Sequence, residues 1–166
     1  MTLREQIELD RDLLDSISDI SLYPNIKMKR LERARKTYGL ANSLDVQQVL
    51  LMVDNTIFGS GKQGLIVTEQ ELHAFTNICG RFSIRLDDID SLSPQVRKTS
   101  FGATIPGIVI NKGYFASLPG MVQTVRVGNY EQSSVVVLCL LLKNRTRCEI
   151  EMEPEEDPGP PPWYLE

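Results

Sequence analysis

The sequence predicts an α+β fold, in which two N-terminal helices precede an antiparallel sheet and a further helix. Apolar residues recur at helical spacing over residues 3–38. From 43 to about 127, short β-prone runs alternate with turn residues, which is typical of an antiparallel sheet or barrel. A long apolar segment with a basic end follows at 130–147. The chain has 166 residues, which suits one domain with appendages.

Residues 1–42 predict a helical hairpin. A capping box that begins at Thr2 opens an amphipathic helix, which extends to about Asp19. Asn25 is the expected N-cap of a second helix, and Gly39 has the position of a C-terminal glycine. Because two helices alone bury little apolar surface, we expect the hairpin to pack on the rest of the chain.

Residues 43–148 predict the β domain and its C-terminal helix. The expected strands are Val49–Val53, Leu65–Thr68, Leu72–Phe75, Arg81–Leu86, Val96–Ala103, Gly107–Ile110, Tyr114–Ala116 and Met121–Val127. The segment 130–147 is ambiguous, since Val135–Val137 favours a strand by propensity. Its length and its basic end favour a helix, and we interpret it as one that is almost fully buried.

Residues 149–166 predict an extended, mobile tail. Six acidic residues come without a basic one, and a proline-rich stretch follows, so the segment cannot form a packed core. The tail ends in Trp163, Tyr164 and Leu165, which have the form of a docking peptide after a polyproline segment. A disordered terminus is the alternative interpretation.

Composition limits the class of protein. The formal net charge is -4, so nucleic acid is not an expected partner. The three cysteines form no Cys-x-x-Cys pair, which suits a reducing compartment. The longest apolar run, Val135–Leu142, is too short for a transmembrane segment, and no signal peptide is recognised. We therefore expect a cytoplasmic protein.

The second predicted helix is strongly basic and is a candidate surface for an anionic partner. Its cationic residues are Lys27, Lys29, Arg30, Arg33, Arg35 and Lys36, against one acidic residue, Glu32. A solvated helix face is the simplest interpretation. The functional alternatives are the acidic tail of this protein, acidic lipid headgroups or nucleic acid.

The glycine-rich segment Gly59–Gly64 is a candidate loop site, carried by Gly59, Gly61, Lys62 and Gly64. It satisfies Gly-x-Gly-x-x-Gly, but a dinucleotide site needs a helix to begin at the last glycine. The residues that follow are Leu-Ile-Val-Thr, which favour a strand. We interpret the segment as a turn between two strands, with a nucleotide-binding loop as the alternative.

The sequence predicts no catalytic residue, no metal site and no cofactor. His73 is the only histidine and lies in a predicted strand, which excludes a catalytic triad and a multi-histidine metal site. The acidic run at Asp87–Asp90 lacks the glycine and the terminal glutamate of a calcium loop. No nucleophile stands beside a base in the sequence, so we expect a protein that is not an enzyme.

One sequence segment, residues 54–68, resembles a segment of a known protein family. Asp54-Asn55-Thr56-x-Phe58-Gly59-Ser60-Gly61-Lys62-x-Gly64-Leu65-Ile66-Val67-Thr68 is similar to a segment in uncharacterised bacterial proteins with a pleckstrin-homology-like (PH-like) region. In those proteins the segment covers the first strand, a loop and the second strand. This chain has Asn55 at a position where aspartate is more usual. The resemblance covers about 44–92 and implies a curved antiparallel sheet or half-barrel capped by a C-terminal helix.

These observations predict a non-enzymatic bacterial interaction module. The resemblance implies recognition of a protein or lipid partner, or self-association, but the phosphoinositide motif of eukaryotic members is not recognised in this sequence, so lipid binding is not carried over from it. Anionic lipid is a second class of partner through the basic helix. The alternative is a nucleotide- or phosphate-binding enzyme that uses the Gly59–Gly64 loop.

Overall fold

The computed structural model describes residues 1–17, 19–54, 56, 61–76, 80–98, 104–117, 125–127, 130–132 and 134–150. The described helices are α1 (Leu3–Leu9), α2 (Arg11–Asp15), α3 (Met28–Thr37) and α4 (Ser134–Thr146). The described strands are β1 (Ile20–Leu22), β2 (Val49–Asp54), β3 (Gly64–Thr68), β4 (Glu71–Thr76), β5 (Gly80–Arg85), β6 (Ser91–Lys98), β7 (Thr104–Ile110), β8 (Tyr114–Ser117), β9 (Val125–Val127), β10 (Tyr130–Gln132) and β11 (Glu149–Ile150). Short 3-10 helices lie at Val46–Gln48 and Leu86–Asp88.

The first sheet contains five antiparallel strands in chain order, β1-β2-β3-β4-β5. Its register places Met52, Ile66, His73 and Ser83 side by side in one row across four strands. Sequential antiparallel strands with short connections were expected from the alternating pattern, and this part of the prediction is confirmed.

The second sheet is open and has the order β11-β6-β7-β8. Strands β6, β7 and β8 are antiparallel, and β11 pairs parallel with the beginning of β6. Helix α4 packs on β6 and β7, and β8 lies against β3 and β4 of the first sheet. Strands β9 and β10 form a separate pair. The fold is therefore α+β, as predicted.

Alternation along β2, β3 and β4 divides the apolar residues between two cores, because successive side chains point to opposite faces of a sheet. The inner face joins α1, α4 and the second sheet in the larger core, through Leu51, Val53, Leu65, Val67, Leu72 and Ala74. The outer face packs against α3 in the smaller core, through Met52, Ile66 and the partly buried Phe75. Both faces of the first sheet are thus covered, which explains why β2 and β3 are buried along their whole length.

The predicted helical hairpin is wrong. The first helix is interrupted at Asp10, and α1 packs on α4 in the larger core, whereas α3 covers the outer face. Between these helices Ile20–Leu22 forms β1, which pairs with β2. The apolar stripes of α1 and α3 are therefore buried in different cores and do not pack against each other. The N-cap of α3 is Lys27, not Asn25, and its side chain makes no capping hydrogen bond.

The C-terminal segment is helical, as predicted, but only from Ser134; Tyr130–Gln132 is a strand. The prediction that the extended tail begins at residue 149 is wrong for Glu149 and Ile150, because they pair with Ser91 and Leu92 of β6. The rest of the predicted tail, including Trp163, Tyr164 and Leu165, lies outside the described residues.

Glu69 in the β3–β4 turn holds three elements together. Its carboxylate accepts hydrogen bonds from the backbone N–H groups of Leu3 and Arg4, at 3.1 and 2.8 Å. Its carbonyl oxygen accepts from Arg145 Nη2 of α4 at 3.1 Å. The predicted capping box of Thr2 and Glu5 is confirmed in the same turn of α1.

Gly61, in the loop between β2 and β3, packs closely against α3. Its φ is +75°, and an added Cβ would lie 2.5 Å from Arg30 Cγ and 2.6 Å from the Arg30 carbonyl oxygen. Gly80 has nearly the same φ, +74°, but open space around an added Cβ. We expect Gly80→Ala to cost about 1 kcal/mol of unfolding free energy, from the left-handed backbone alone. Gly61→Ala should cost about 2 kcal/mol more, because backbone must move.

Urea denaturation of the two variants measures this difference directly. Equal losses for Gly61→Ala and Gly80→Ala would show that the loop does not pack against α3 as described.

Candidate functional site

The predicted basic surface divides into two groups of residues with different surroundings. Four cations are exposed on α3 and its N-cap: Lys27, Lys29, Arg33 and Lys36. Arg30 and Arg35 are half-buried and bound within the protein. Arg35 donates to the carbonyl oxygen of Leu44 at 2.9 Å and to Glu32 at 3.1 Å. The candidate surface is therefore the four exposed cations, which we call the α3 face.

Three of the four cations of the α3 face form a stripe along the helix, and Lys27 lies at its N-cap. Lys29, Arg33 and Lys36 follow the spacing i, i+4, i+7, which places them on one side of a helix. The acidic residue of this helix, Glu32, borders the stripe and forms an ion pair with Arg35. Met28, which is 55% exposed, adds an apolar side chain at its N-terminal end. Such a surface can bind carboxylates or phosphates through long, adaptable side chains.

Asp54 lies beneath this face, at the end of β2, and is 4% exposed. Its carboxylate accepts hydrogen bonds from the N–H groups of Gly61 and Thr56, both at 2.9 Å, and from the Thr56 hydroxyl. Arg30 Nε approaches the same carboxylate at 3.4 Å. A buried charge is costly unless it is paired and hydrogen-bonded, so this arrangement binds the loop and α3 to the sheet.

Two neighbours of Asp54 have perturbed ionisation. Burial, and secondarily the charge of Asp54, raises the pKa of Tyr38 well above its ordinary value. The Tyr38 hydroxyl is buried without a hydrogen-bond partner among the described residues, and its ring packs against Phe75 with centroids 5.6 Å apart. Burial and then the charge of Asp54 also raise the pKa of Asp19 above 3.8. Both pKa shifts follow mainly from the burial of the two groups themselves, and the nearby Asp54 carboxylate adds to them.

The described part of the glycine loop, residues 61–64, lacks the features of a phosphate-binding loop. The Gly61 N–H group is directed at Asp54, and β3 begins at Gly64, so no helix N-terminus follows the loop. Lys62 is exposed. Because the preceding residue, Gly61, lies against Arg30 of α3, Lys62 is close to the α3 face. Gly59, the remaining member of the predicted loop site, lies outside the described residues.

His73, Ser83 and Glu71 form a polar cluster that the sequence analysis missed. His73 Nδ1 and Ser83 Oγ are 2.6 Å apart, and His73 Nε2 is 3.5 Å from Glu71 Oε2. The prediction that a triad is excluded is therefore wrong in its geometry. The Ser83 hydroxyl, the His73 imidazole and the Glu71 carboxylate do lie next to one another. The cross-strand register of β4 and β5 brings them together, and only the paired strands could have indicated it.

The chemistry of this cluster is limited by burial. His73 is 4% exposed, and its Nε2 lacks a hydrogen-bond partner among the described residues. Burial lowers the pKa of His73 below its ordinary 6.5, and the charge of Glu71 offsets this only in part. At neutral pH the ring is uncharged, so the contact with Glu71 is not an ion pair. A neutral imidazole beside the Ser83 hydroxyl can accept its proton.

Two cysteines, Cys139 and Cys148, are buried thiols, and burial raises the pKa of Cys139 to about 12. Neither is therefore a reactive nucleophile. Within the described ranges, no three histidine, cysteine, aspartate or glutamate side chains are grouped so as to hold a metal ion. None of the described helices has both the length and the apolar character to cross a membrane.

Comparison with known proteins gives no assignment: no family model, curated protein or solved structure matches this chain.

The buried imidazole predicts a pH dependence of stability. Below its ordinary pKa of 6.5, His73 binds a proton in the unfolded chain but not in the folded one. The unfolding free energy should therefore decrease as pH falls through 6.5 and level off below the folded-state pKa. We expect His73→Gln to flatten this decrease between about pH 7.5 and 5.5 in urea titrations.

Glu71→Gln is the matched control, because it keeps the imidazole and removes the charge beside it. The control should retain the decrease. An unaltered slope in His73→Gln would contradict a neutral, buried His73.

Proposed function

We propose that the protein is a non-enzymatic interaction module of a bacterial cell, built on a PH-like domain, which binds an anionic protein partner. The order of elements supports the PH-like assignment: β2–β5 form one antiparallel sheet, β6–β8 belong to a second, and α4 follows. The segment that resembles the family begins at Asp54, the last residue of β2, and ends with β3, and the short strand β1 precedes them in the sheet.

The observation that carries the function is the α3 face. Packing on the outer face of the sheet directs one side of α3 inward, and Asp54 and Glu32 engage Arg30 and Arg35. The remaining four cations point to solvent. Because a compact set of like charges raises the local concentration of acidic partners, this face favours recognition of a negatively charged protein surface.

The nucleotide- or phosphate-binding alternative has less support. A phosphate on the loop would have to compete with Asp54 for the Gly61 N–H group and would meet the negative charge of that carboxylate. The Ser83–His73 contact is the described feature that favours an enzyme. Reproducible ester hydrolysis by the wild type, abolished in Ser83→Ala, would replace the present proposal.

Charge reversal on α3 tests the proposal. The full-length chain is immobilised and exposed to bacterial lysate at roughly 50 and 500 mM salt. Proteins retained by the wild type should be lost with Lys29→Glu/Arg33→Glu, since the reversed surface repels acidic partners. Retention should also fall at the higher salt concentration, because the exposed charges are screened.

The matched control is Lys143→Glu/Arg147→Glu, which makes the same change in net charge at exposed positions near the end of α4. It should retain the same proteins as the wild type. Equal behaviour of the two double variants would exclude the α3 face as the binding surface. Sedimentation with phosphatidylserine vesicles that depends on Lys29 and Arg33, without any retained protein, would identify lipid instead.

A further inference from the structure

Strand β5 forms one edge of the first sheet among the described strands. It pairs with β4 along its whole length, and among the described residues no strand pairs with its other side. Such an edge offers backbone N–H and C=O groups for hydrogen bonding to a further extended segment.

The two faces of β5 have different chemistry. Arg81, Ser83 and Arg85 are exposed on one face, whereas Phe82 and Ile84 are half-buried on the other. Phe82 stacks on Tyr114 of β8, with ring centroids 5.1 Å apart. A groove of about 360 Å³ runs beside the end of the strand; Ser83, Ile84 and Arg85 line it together with the carboxylates of Glu71 and Asp88. The alternation of Arg81 and Arg85 with Phe82 and Ile84 along the strand suits an extended segment that alternates acidic and apolar residues.

This chain contains a segment of that kind outside the described residues. Residues 151–157 read Glu-Met-Glu-Pro-Glu-Glu-Asp, with acids at 151, 153 and 155 and apolar residues at 152 and 154. A period of two places the three acids on one face of a strand but not of a helix. The residues immediately before it, Glu149–Ile150, already form a strand.

We propose that residues 151–157 of a second copy of the chain add to β5 as a sixth strand of the first sheet. Glu155 lies four positions after Glu151, and Arg85 lies four positions after Arg81. Both arginines therefore meet a glutamate whether the added strand is parallel or antiparallel. Met152 and Pro154 then share the face of Phe82 and Ile84, and proline is tolerated in an edge strand.

A second copy fits better than the same chain. Because β11 is parallel to β6, the chain leaves Ile150 in the direction of Lys98, away from the turn that joins β5 to β6. Direct pairing of β5 with β5 of another copy is disfavoured, since antiparallel pairing about Ser83 would place Arg81 opposite Arg85. Reciprocal exchange of the acidic segments gives a closed, symmetric dimer.

Charge exchange between the two surfaces tests this proposal in the full-length chain. Analytical ultracentrifugation measures the dimer dissociation constant of the wild type, of Arg81→Glu/Arg85→Glu and of Glu151→Lys/Glu155→Lys. We expect each double variant to raise this constant more than about tenfold, because like charges then face each other. The quadruple variant, which exchanges the charges, should return to within about threefold of the wild type.

The variant Lys29→Glu/Arg33→Glu tests whether dimerisation also depends on the α3 face. It should dimerise like the wild type, because it leaves β5 and residues 151–157 unchanged. Circular dichroism verifies that each variant is folded. A monomeric wild type at roughly 100 µM would overturn the proposal. So would failure of the quadruple variant to restore the dimer, or a loss of dimerisation on altering α3.

Discussion

The structure depends above all on the buried carboxylate of Asp54. It ends β2, lies under α3 and accepts hydrogen bonds from the loop that leads to β3. The Asp54 N–H group also donates to the carbonyl oxygen of Asp19, next to β1, at 3.0 Å. A charge in this position is tolerated only with several partners. Its partners come from the loop and from α3, so satisfying Asp54 fixes both relative to the first sheet.

This constraint determines which groups remain for recognition. The Gly61 N–H group is used by Asp54, which leaves the glycine loop with a structural role. Arg30 is directed inward to the same carboxylate, whereas Lys29 and Arg33 remain exposed on α3. At the far end of the sheet, β5 contacts Gly39, just after α3, through Arg81 and keeps an open edge among the described residues. The two proposed binding surfaces, the α3 face and the β5 edge, thus consist of groups that the packing of the protein does not use.

Local patterns were sufficient to predict much of the fold but less of the site. The β2–β3–β4 strands follow from β-branched runs between turns, and α4 from a long apolar segment with a basic end. Strand β1 has only three residues, so neither length nor period distinguishes it from a loop. The basic helix was predicted, but the inward direction of Arg30 depends on Asp54, 24 residues further along the chain. Likewise, the Ser83–His73 contact depends on cross-strand register, which one sequence does not specify.

The unfolding free energy of Asp54→Asn at neutral pH, compared with that of Asp87→Asn, tests the central role of Asp54 most directly. The asparagine keeps the shape but directs an N–H group at Gly61 or Arg30, and it removes the charge that pairs with Arg30. The account predicts a loss of about 3 kcal/mol for Asp54→Asn. Asp87 is 69% exposed and lies 3.6 Å from Arg145, so its replacement should change stability very little. Equal, small effects of the two substitutions would contradict the account.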